Sequence, residues 1–386
     1  MKISAAVLVV MVVAALAINQ LPQLPSNKIS TQSYTPATPK QAPNALKNMF
    51  GINTYEWNFL QDSQNLNDVS HIYPPKMNLI KSFSSVRHYL DWEKIEPTEG
   101  SFTFNPANNG GWNYDAMYLA CKQNNIDLLV CLKNCPPWLA KTYPSDKQGN
   151  ENVPAPYGLD RSKPSTYLLQ AKAAFQLAAR YGYNKNINPK LVTVNAQPRW
   201  TTDPVNEVKI GLGLIRYIEC DNERDKWWKG KQAQQTAEEY AANLSAFYDG
   251  DKGRLGKDVG VKTADPDMQV VMGGLANPDP AFVQRIINWC KIHRGYRKDG
   301  SIDLCFDVIN YHFYPNDNQD NSNKQATCGK APELTEAARV ADAFVALSNA
   351  TARKPEVWIT ECGYDLNAQS PQRAIKIGNK TAGETQ

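Results

Sequence analysis

The chain has 386 residues, 42% of them hydrophobic, which is ample for a large core. Its 42 Lys and Arg against 38 Asp and Glu leave a formal charge of +4. This near balance gives no electrostatic reason to expect nucleic acid as a partner.

The amino terminus reads Met1-Lys2, an apolar run Ile3–Leu16, then Ala15-Leu16-Ala17. A basic start, a short apolar core and an Ala-x-Ala exit describe a secretory signal peptide, with cleavage expected near Ala17. The run falls short of the roughly 20 residues that span a bilayer. A secreted or periplasmic protein is therefore expected, with no membrane span after cleavage. Residues 18–46 carry Pro22, Pro25, Pro36, Pro39 and Pro43 among polar residues and read as a tether. The folded domain is expected over 47–386.

From Phe50 onward, strand-like runs alternate with amphipathic helical patterns. The strands are expected at 50–54, 84–89, 126–132, 212–219, 268–273, 304–311 and 356–361. Helices are expected near 74–83, 112–124, 164–182, 236–248, 280–294 and 332–348. Pro164, Thr236 followed by Glu238 and Glu239, and Pro332 supply start signals. Apolar strands separated by helices imply a parallel sheet covered by helices. No Gly-rich phosphate turn follows the first strand, so an α/β (β/α)8 TIM barrel is favoured over a doubly wound sheet. Residues 362–386 leave room for a loop and a short helix around Gln372–Ile377, but not for an eighth strand and its helix. The barrel therefore reads as truncated after strand seven. Leu191–Val194 is the alternative extra strand, and reads better as part of a loop hairpin.

Eight cysteines invite a disulfide reading, but Cys131, Cys220, Cys305 and Cys362 lie in or beside expected strands. Cys121 and Cys290 lie on expected helices, and buried free thiols are the default for most of these positions. Cys328, in a polar loop, is the best candidate for a bridge. Cys131 and Cys135 have metal-like spacing, yet no second pair or nearby His completes a site. Neither a metal nor another cofactor is expected.

Candidate chemistry concentrates at two strand ends. Asn-Glu occurs at 150–151, 206–207 and 222–223, and only Asn222-Glu223 ends an apolar strand. Thr-Glu occurs at 98–99, 335–336 and 360–361, and only Thr360-Glu361 closes a strand. Catalytic groups of α/β barrels sit at the carboxyl ends of strands. Strand counting puts Glu223 after the fourth and Glu361 after the seventh. Glu219, inside the strand, and Asp225, in the loop, are weaker candidates. The four His residues (71, 88, 293 and 312) show no His-x-His or HExxH spacing, which argues against a metal-dependent hydrolase.

Taken with these positions, further segments resemble the clan A, or "4/7", retaining glycoside hydrolases. They are Val86-Arg87, Trp92-Glu93-Lys94-Ile95-Glu96-Pro97 followed by Gly100 and Phe102, Pro136-Pro137-Trp138, and Asn310-Tyr311-His312 with Tyr314. The resemblance covers about residues 50–365. It departs from the group at Asp221, where many members carry Trp or Gly, and in the absent eighth strand. It implies cleavage of β-glycosidic bonds in a poly- or oligosaccharide, with Glu223 as acid/base and Glu361 as nucleophile. A retaining pair stands about 5–5.5 Å apart, and mutual repulsion is expected to raise the pKa of the less solvated carboxyl.

The resemblance further implies that Arg87 holds Glu361 ionised and that Asn222 donates to a sugar 2-hydroxyl. Tyr314 or Tyr311 would bond Glu361, and His312 would contact the sugar or the acid/base. Trp227 and Trp228, of which at most one faces the cleft, are the leading stacking platforms. Trp138, Trp57 and Trp92 stand behind them. Trp358 reads as core. The partner is then a carbohydrate substrate. The alternative is a catalytically inactive, carbohydrate-binding barrel.

Overall fold

The computed structural model describes residues 48–66, 68–318 and 325–385. The expected leader and tether lie outside the described residues. Seven strands alternate with six major helices: β1 (Gly51–Thr54), α1 (Pro74–Ile80), β2 (Ser85–Asp91), α2 (Tyr114–Gln123), β3 (Asp127–Lys133), α3 (Leu168–Tyr181), β4 (Tyr217–Cys220), α4 (Ala237–Asp249), β5 (Gln269–Met272), α5 (Pro280–His293), β6 (Val308–Phe313), α6 (Ala337–Asn349) and β7 (Glu356–Cys362). The strands form one parallel sheet in sequential order, β1 through β7. All seven expected strands and all six expected helices are present.

Local chemistry explains the helix starts. Thr236 and Glu239 form a reciprocal capping box at α4, which ends on Gly250 in the left-handed region. Asn113 caps α2 by accepting from Ala116 N at 3.0 Å, and Asp279 caps α5 by accepting from Ala281 N at 2.9 Å. Alanines 171, 174 and 178 let α3 pack close to its neighbours.

Alternation along each strand sorts side chains between two faces. The outer face buries Val86, Leu90, Val130, Leu132, Ile218, Val270 and Ile309 in the main core cluster, with residues of the helices. His88 lies on this outer face, bonded to Tyr118 of α2 at 3.1 Å. The inner face is layered. Near its amino end, Leu129, Val271 and Val308 form a small apolar cluster with Tyr217 and Trp358. Trp358 is thus half-buried in that inner cluster, 4.9 Å from Tyr217. One layer higher, Arg87, Cys131, Glu219 and Asn310 make the inner face polar.

The sheet curls until β1 and β7 nearly meet, giving a barrel of seven strands. Asn53 Nδ2 donates to Thr360 O at 3.3 Å across that gap. No eighth strand occurs among the described residues. As edge strands, β1 and β7 are less covered than β6, all six of whose residues are buried. Three local expectations differ. Leu191 closes a single helical turn (Pro189–Leu191), and residues 192–194 after it form neither strand nor hairpin. Residues 372–377 form turns and isolated bridges, and the last short helix is Ala382–Thr385. Cys328 carries no bridge: all eight thiols are free, and its Sγ lies 3.8 Å from Asp317 Oδ2. Cys362 is exposed, whereas Cys121, Cys131, Cys220, Cys290 and Cys305 are buried as expected.

Candidate active site

The strand ends bring Glu223, His312 and Glu361 together, with one ligand atom from each lying within 4.8 Å of the others. Two backbone irregularities produce this meeting. Pairing of β6 with β7 slips at Tyr311/His312, so that Tyr311 faces Ile359 but His312 faces Glu361. This bulge turns both Thr360 and Glu361 inward, where strict alternation would send Glu361 outward. Thr360 Oγ1 then donates to Asn310 Oδ1 at 3.0 Å. On the opposite side, Asp221 and Glu223 hold positive φ values of 65° and 50°. Each such residue costs about 1–3 kcal/mol, a strain that clusters at functional sites.

Asp221 is the residue that departs from the resembled pattern, and it stabilises this turn. It is fully buried, accepts from Asn222 N at 2.7 Å and Gln170 Nε2 at 3.3 Å, and pairs with buried Arg224 at 3.4 Å. Glu223 N donates to Gly274 O at 3.1 Å. Gly274 is also sterically required, because a Cβ there would fall 2.0 Å from His312 Nε2.

Arg87 organises the polar layer. Its Nε and Nη2 donate to Glu219 at 2.6 and 2.9 Å, Nη1 donates to Glu361 Oε1 at 2.7 Å, and Nη2 also donates to Asn222 Oδ1 at 2.7 Å. Glu219 is completely buried and accepts further bonds from Asn310 Nδ2 and Gly274 N. It is therefore the counter-ion of Arg87. Asn222 has its amide oxygen on Arg87, which leaves its NH2 as the available donor. Asp225 accepts from Ala276 N and Asn277 N, and burial raises its pKa.

Glu361 accepts on Oε1 from Tyr89 Oη at 2.5 Å as well as from Arg87, and on Oε2 from Tyr314 Oη at 2.7 Å. Burial pushes its carboxyl up, but the charges of His312 and Arg87 and the two tyrosine bonds outweigh this and hold it at about 2. Glu361 is thus held low although it is the more buried of the two carboxyls: its side chain is 10% exposed, against 19% for Glu223. This corrects the expectation that the less solvated carboxyl is raised. Close cationic and hydrogen-bond donors decide the sign, not repulsion. Burial raises the hydroxyls of Tyr89 and Tyr314, which stay protonated as donors. His312 Nδ1 stands 2.9 Å from Glu223 Oε1 and 3.5 Å from Glu361 Oε2.

Tyr311 does not join the site. It is 1% exposed and stacks on Phe344 of α6 at 4.2 Å, on the outer face. Period-2 alternation puts 310 and 312 inside and 311 outside. Trp92 is also core, bonding Glu96 through Nε1. Trp138 packs edge-on against Trp92 at 5.4 Å and donates to Glu96 O at 2.9 Å, which ties it to that loop instead of the carboxyl pair. Trp227 and Trp228 are 60% and 49% exposed on the loop after Glu223, perpendicular at 4.8 Å, so they face different ways. Trp57 is 40% exposed and stacks on Tyr55 at 4.3 Å. Tyr89 is a site residue beyond the sequence expectations, and alternation from Arg87 along β2 is the signal that points to it.

Glu223, His312 and Glu361 are also the donor set that a divalent cation would use. Glu361 already carries the Arg87 ion pair and two tyrosine bonds, so a metal would have to displace a buried cation. The arrangement suits proton and carboxylate chemistry better. A depression of about 820 Å³ opens at the other end of the sheet, beside Tyr183, Arg216, Asp267, Arg353 and Glu356, away from these groups.

The sequence matches no protein-family model and no curated protein. The chain is similar in structure to a family 39 glycoside hydrolase from Bacteroides cellulosilyticus WH2, at 19% identity and a TM-score of 0.47, over 83% of this chain and 50% of that one. It is also similar to AbfB, a family 51 α-L-arabinofuranosidase from Bifidobacterium longum, at 11% identity and TM-score 0.46, over 83% and 57%. An endocellulase from Pyrococcus horikoshii aligns at 12% identity and TM-score 0.41, over 84% and 78%. The chain spans about half the length of the first two.

Proposed function

We propose that this protein is an exported retaining glycoside hydrolase that cleaves β-linked poly- or oligosaccharides, with Glu361 as nucleophile and Glu223 as acid/base. One observation carries the reading: carboxylate oxygens of Glu223 and Glu361 lie within 4.8 Å, and Glu361 is held ionised by Arg87, Tyr89 and Tyr314. That spacing suits double displacement, because an inverting pair needs about 6.5–9.5 Å to admit a water.

In the first step Glu361 attacks the anomeric carbon while Glu223 protonates the departing oxygen. In the second, Glu223 takes a proton from water, which attacks the same carbon and releases Glu361. Oε1 of Glu361 is occupied by two donors and Oε2 by one, with His312 beside it, so Oε2 is the attacking atom. Asn222, fixed by Arg87, offers its NH2 to the sugar 2-hydroxyl. Export rests on residues 1–17, and amino-terminal sequencing of protein recovered outside the cell should begin after Ala17.

The test is turnover of aryl β-glycosides and of soluble β-glucan, xylan and mannan. Parent protein should release product with retained configuration, and Glu361→Gln should lose activity by about 10^3-fold or more, as expected when a group acting only in the transition state is removed. Sugar binding without turnover would identify an inactive binding barrel instead. Equal activity of parent and Glu361→Gln would remove the assignment.

A further inference from the structure

We propose that Asp91, Lys133 and Asn134 form a subsite that grips vicinal hydroxyls of the sugar on the nucleophile side, and that it selects neutral sugars over uronic acids. This rests on the glycosidase reading. The argument begins with alternation on β2. Arg87 and Tyr89 face inward and both bond Glu361. Asp91 is the next inward residue, about 7 Å further toward the mouth. On β3 the same alternation runs Leu129, Cys131, Lys133, and Asp91 pairs in register with Lys133. The two charged side chains are therefore cross-strand neighbours one step above the nucleophile's support.

Their bonding leaves defined groups for a ligand. Lys133 Nζ and Asn134 Nδ2 both donate to Asp91 Oδ1 at 2.7 Å. No donor among the described residues bonds Asp91 Oδ2. Lys133 Nζ also sits 5.4 Å over the Tyr89 ring, and its side chain is 13% exposed. A lysine kept for solubility would extend its head into water; this one is drawn into the mouth. Burial disfavours its charge, but Asp91 outweighs burial and keeps it an ammonium.

Adjacent lies an apolar wall: Tyr55 stacks on Tyr89 at 5.1 Å and on the half-exposed Trp57 at 4.3 Å. An acceptor and a donor side by side match two neighbouring hydroxyls, and aromatic faces match the C–H face of a sugar ring. The ion pair sums to no net charge, so a uronate carboxylate would meet Asp91 without an uncompensated cation to receive it.

Calorimetric titration with cello-, xylo- and manno-tetraose and a glucuronic acid tetramer, alongside hydrolysis of each, tests this on parent, Asp91→Asn and Lys133→Met. Parent should bind at least one neutral tetraose and not the uronate. Both variants should weaken that binding by about 10-fold or more, the effect of losing a hydrogen bond to a charged group. The loss should appear in KM, while kcat changes by less than about 3-fold. Asp91→Asn, which frees the Lys133 charge, should gain affinity for the uronate; Lys133→Met should not. Binding lost in the variants when parent hydrolyses nothing would keep the subsite and sink the glycosidase reading. Hydrolysis with unchanged affinity in both variants would do the reverse. Parent that binds the uronate as tightly as neutral sugars, or binds no tetraose, overturns the proposal.

Discussion

Replacing Arg87 by methionine, of similar length, removes the cation shared by two buried carboxylates. As whole residues Glu219 is 0% exposed and Glu361 9%, and among the described residues neither has another Lys or Arg within ion-pair distance. Breaking such a buried pair by deleting one partner costs about 3–5 kcal/mol, mostly because the orphaned charge stays buried. Glu219→Gln on its own keeps Arg87 bonded to Glu361 and Asn222 and should cost less. In the double variant Arg87→Met/Glu219→Gln the orphan at 219 is neutral. The two changes should therefore fall short of additivity by about 1.5–3 kcal/mol. Urea melts of the four proteins, analysed at constant m-value, give this coupling. The same set separates stability from chemistry: the double variant should regain stability but not activity, since Glu361 still lacks its cation. If Arg87→Met melts within about 0.5 kcal/mol of parent, or the double variant is no more stable than Arg87→Met, the ion-pair account is wrong.

Other expectations follow from the same geometry. Tyr314→Phe removes one charge-assisted bond from Glu361, worth about 1.5–3 kcal/mol. The acid limb of kcat/KM should move up by about 1–2 pH units, whereas Tyr311→Phe, on the outer face, should leave the profile in place. Glu361 titrates at about 2 in the folded protein against 4.5 ordinarily. A depressed carboxyl stabilises the fold above its unfolded pKa and loses that contribution as pH falls through the folded one. Guanidinium melts should therefore show about 3 kcal/mol of stability lost between pH ~4.5 and ~2, and Glu361→Gln should lack that component. Glu96 is the opposite case: burial raises it to about 7, despite bonds from Gly100 N and Trp92. Its stabilising contribution is full below the unfolded pKa and lost as pH rises through 7, so Glu96→Gln should raise Tm at alkaline pH more than at acid pH. An equal shift at both would contradict the burial argument.

Much of this was legible in sequence because inner-barrel strands carry apolar runs and helices carry start signals. The misses have physical causes. The expected ends of β2 and β3 stopped short of Asp91 and Lys133, because inward polar residues at a barrel mouth look like loop. The expected start of β4 was too early: Gly211 and Gly213 hold positive φ, and residues 211–215 bond carbonyls at and near the end of α3 instead of the sheet. Strand context singles out Glu223 and Glu361, which the structure brings together with His312. Alternation along β6 sends 310, 312 and 314 inward and Tyr311 outward onto Phe344, and the same alternation from Arg87 brings Tyr89 to Glu361. The bulge at Thr360 leaves no compositional trace, since it depends on register between two strands.

The most direct measurement is covalent trapping. Parent protein would be treated with the 2-deoxy-2-fluoro analogue of whichever aryl glycoside it hydrolyses, then digested and mapped by mass spectrometry. Formation of a glycosyl–enzyme should be fast and its hydrolysis slow. The label is predicted on Glu361, with time-dependent inactivation that Glu361→Gln does not show. A label on Glu223 or Glu219, or full turnover of the natural-type glycoside without any trapped adduct, would contradict the account.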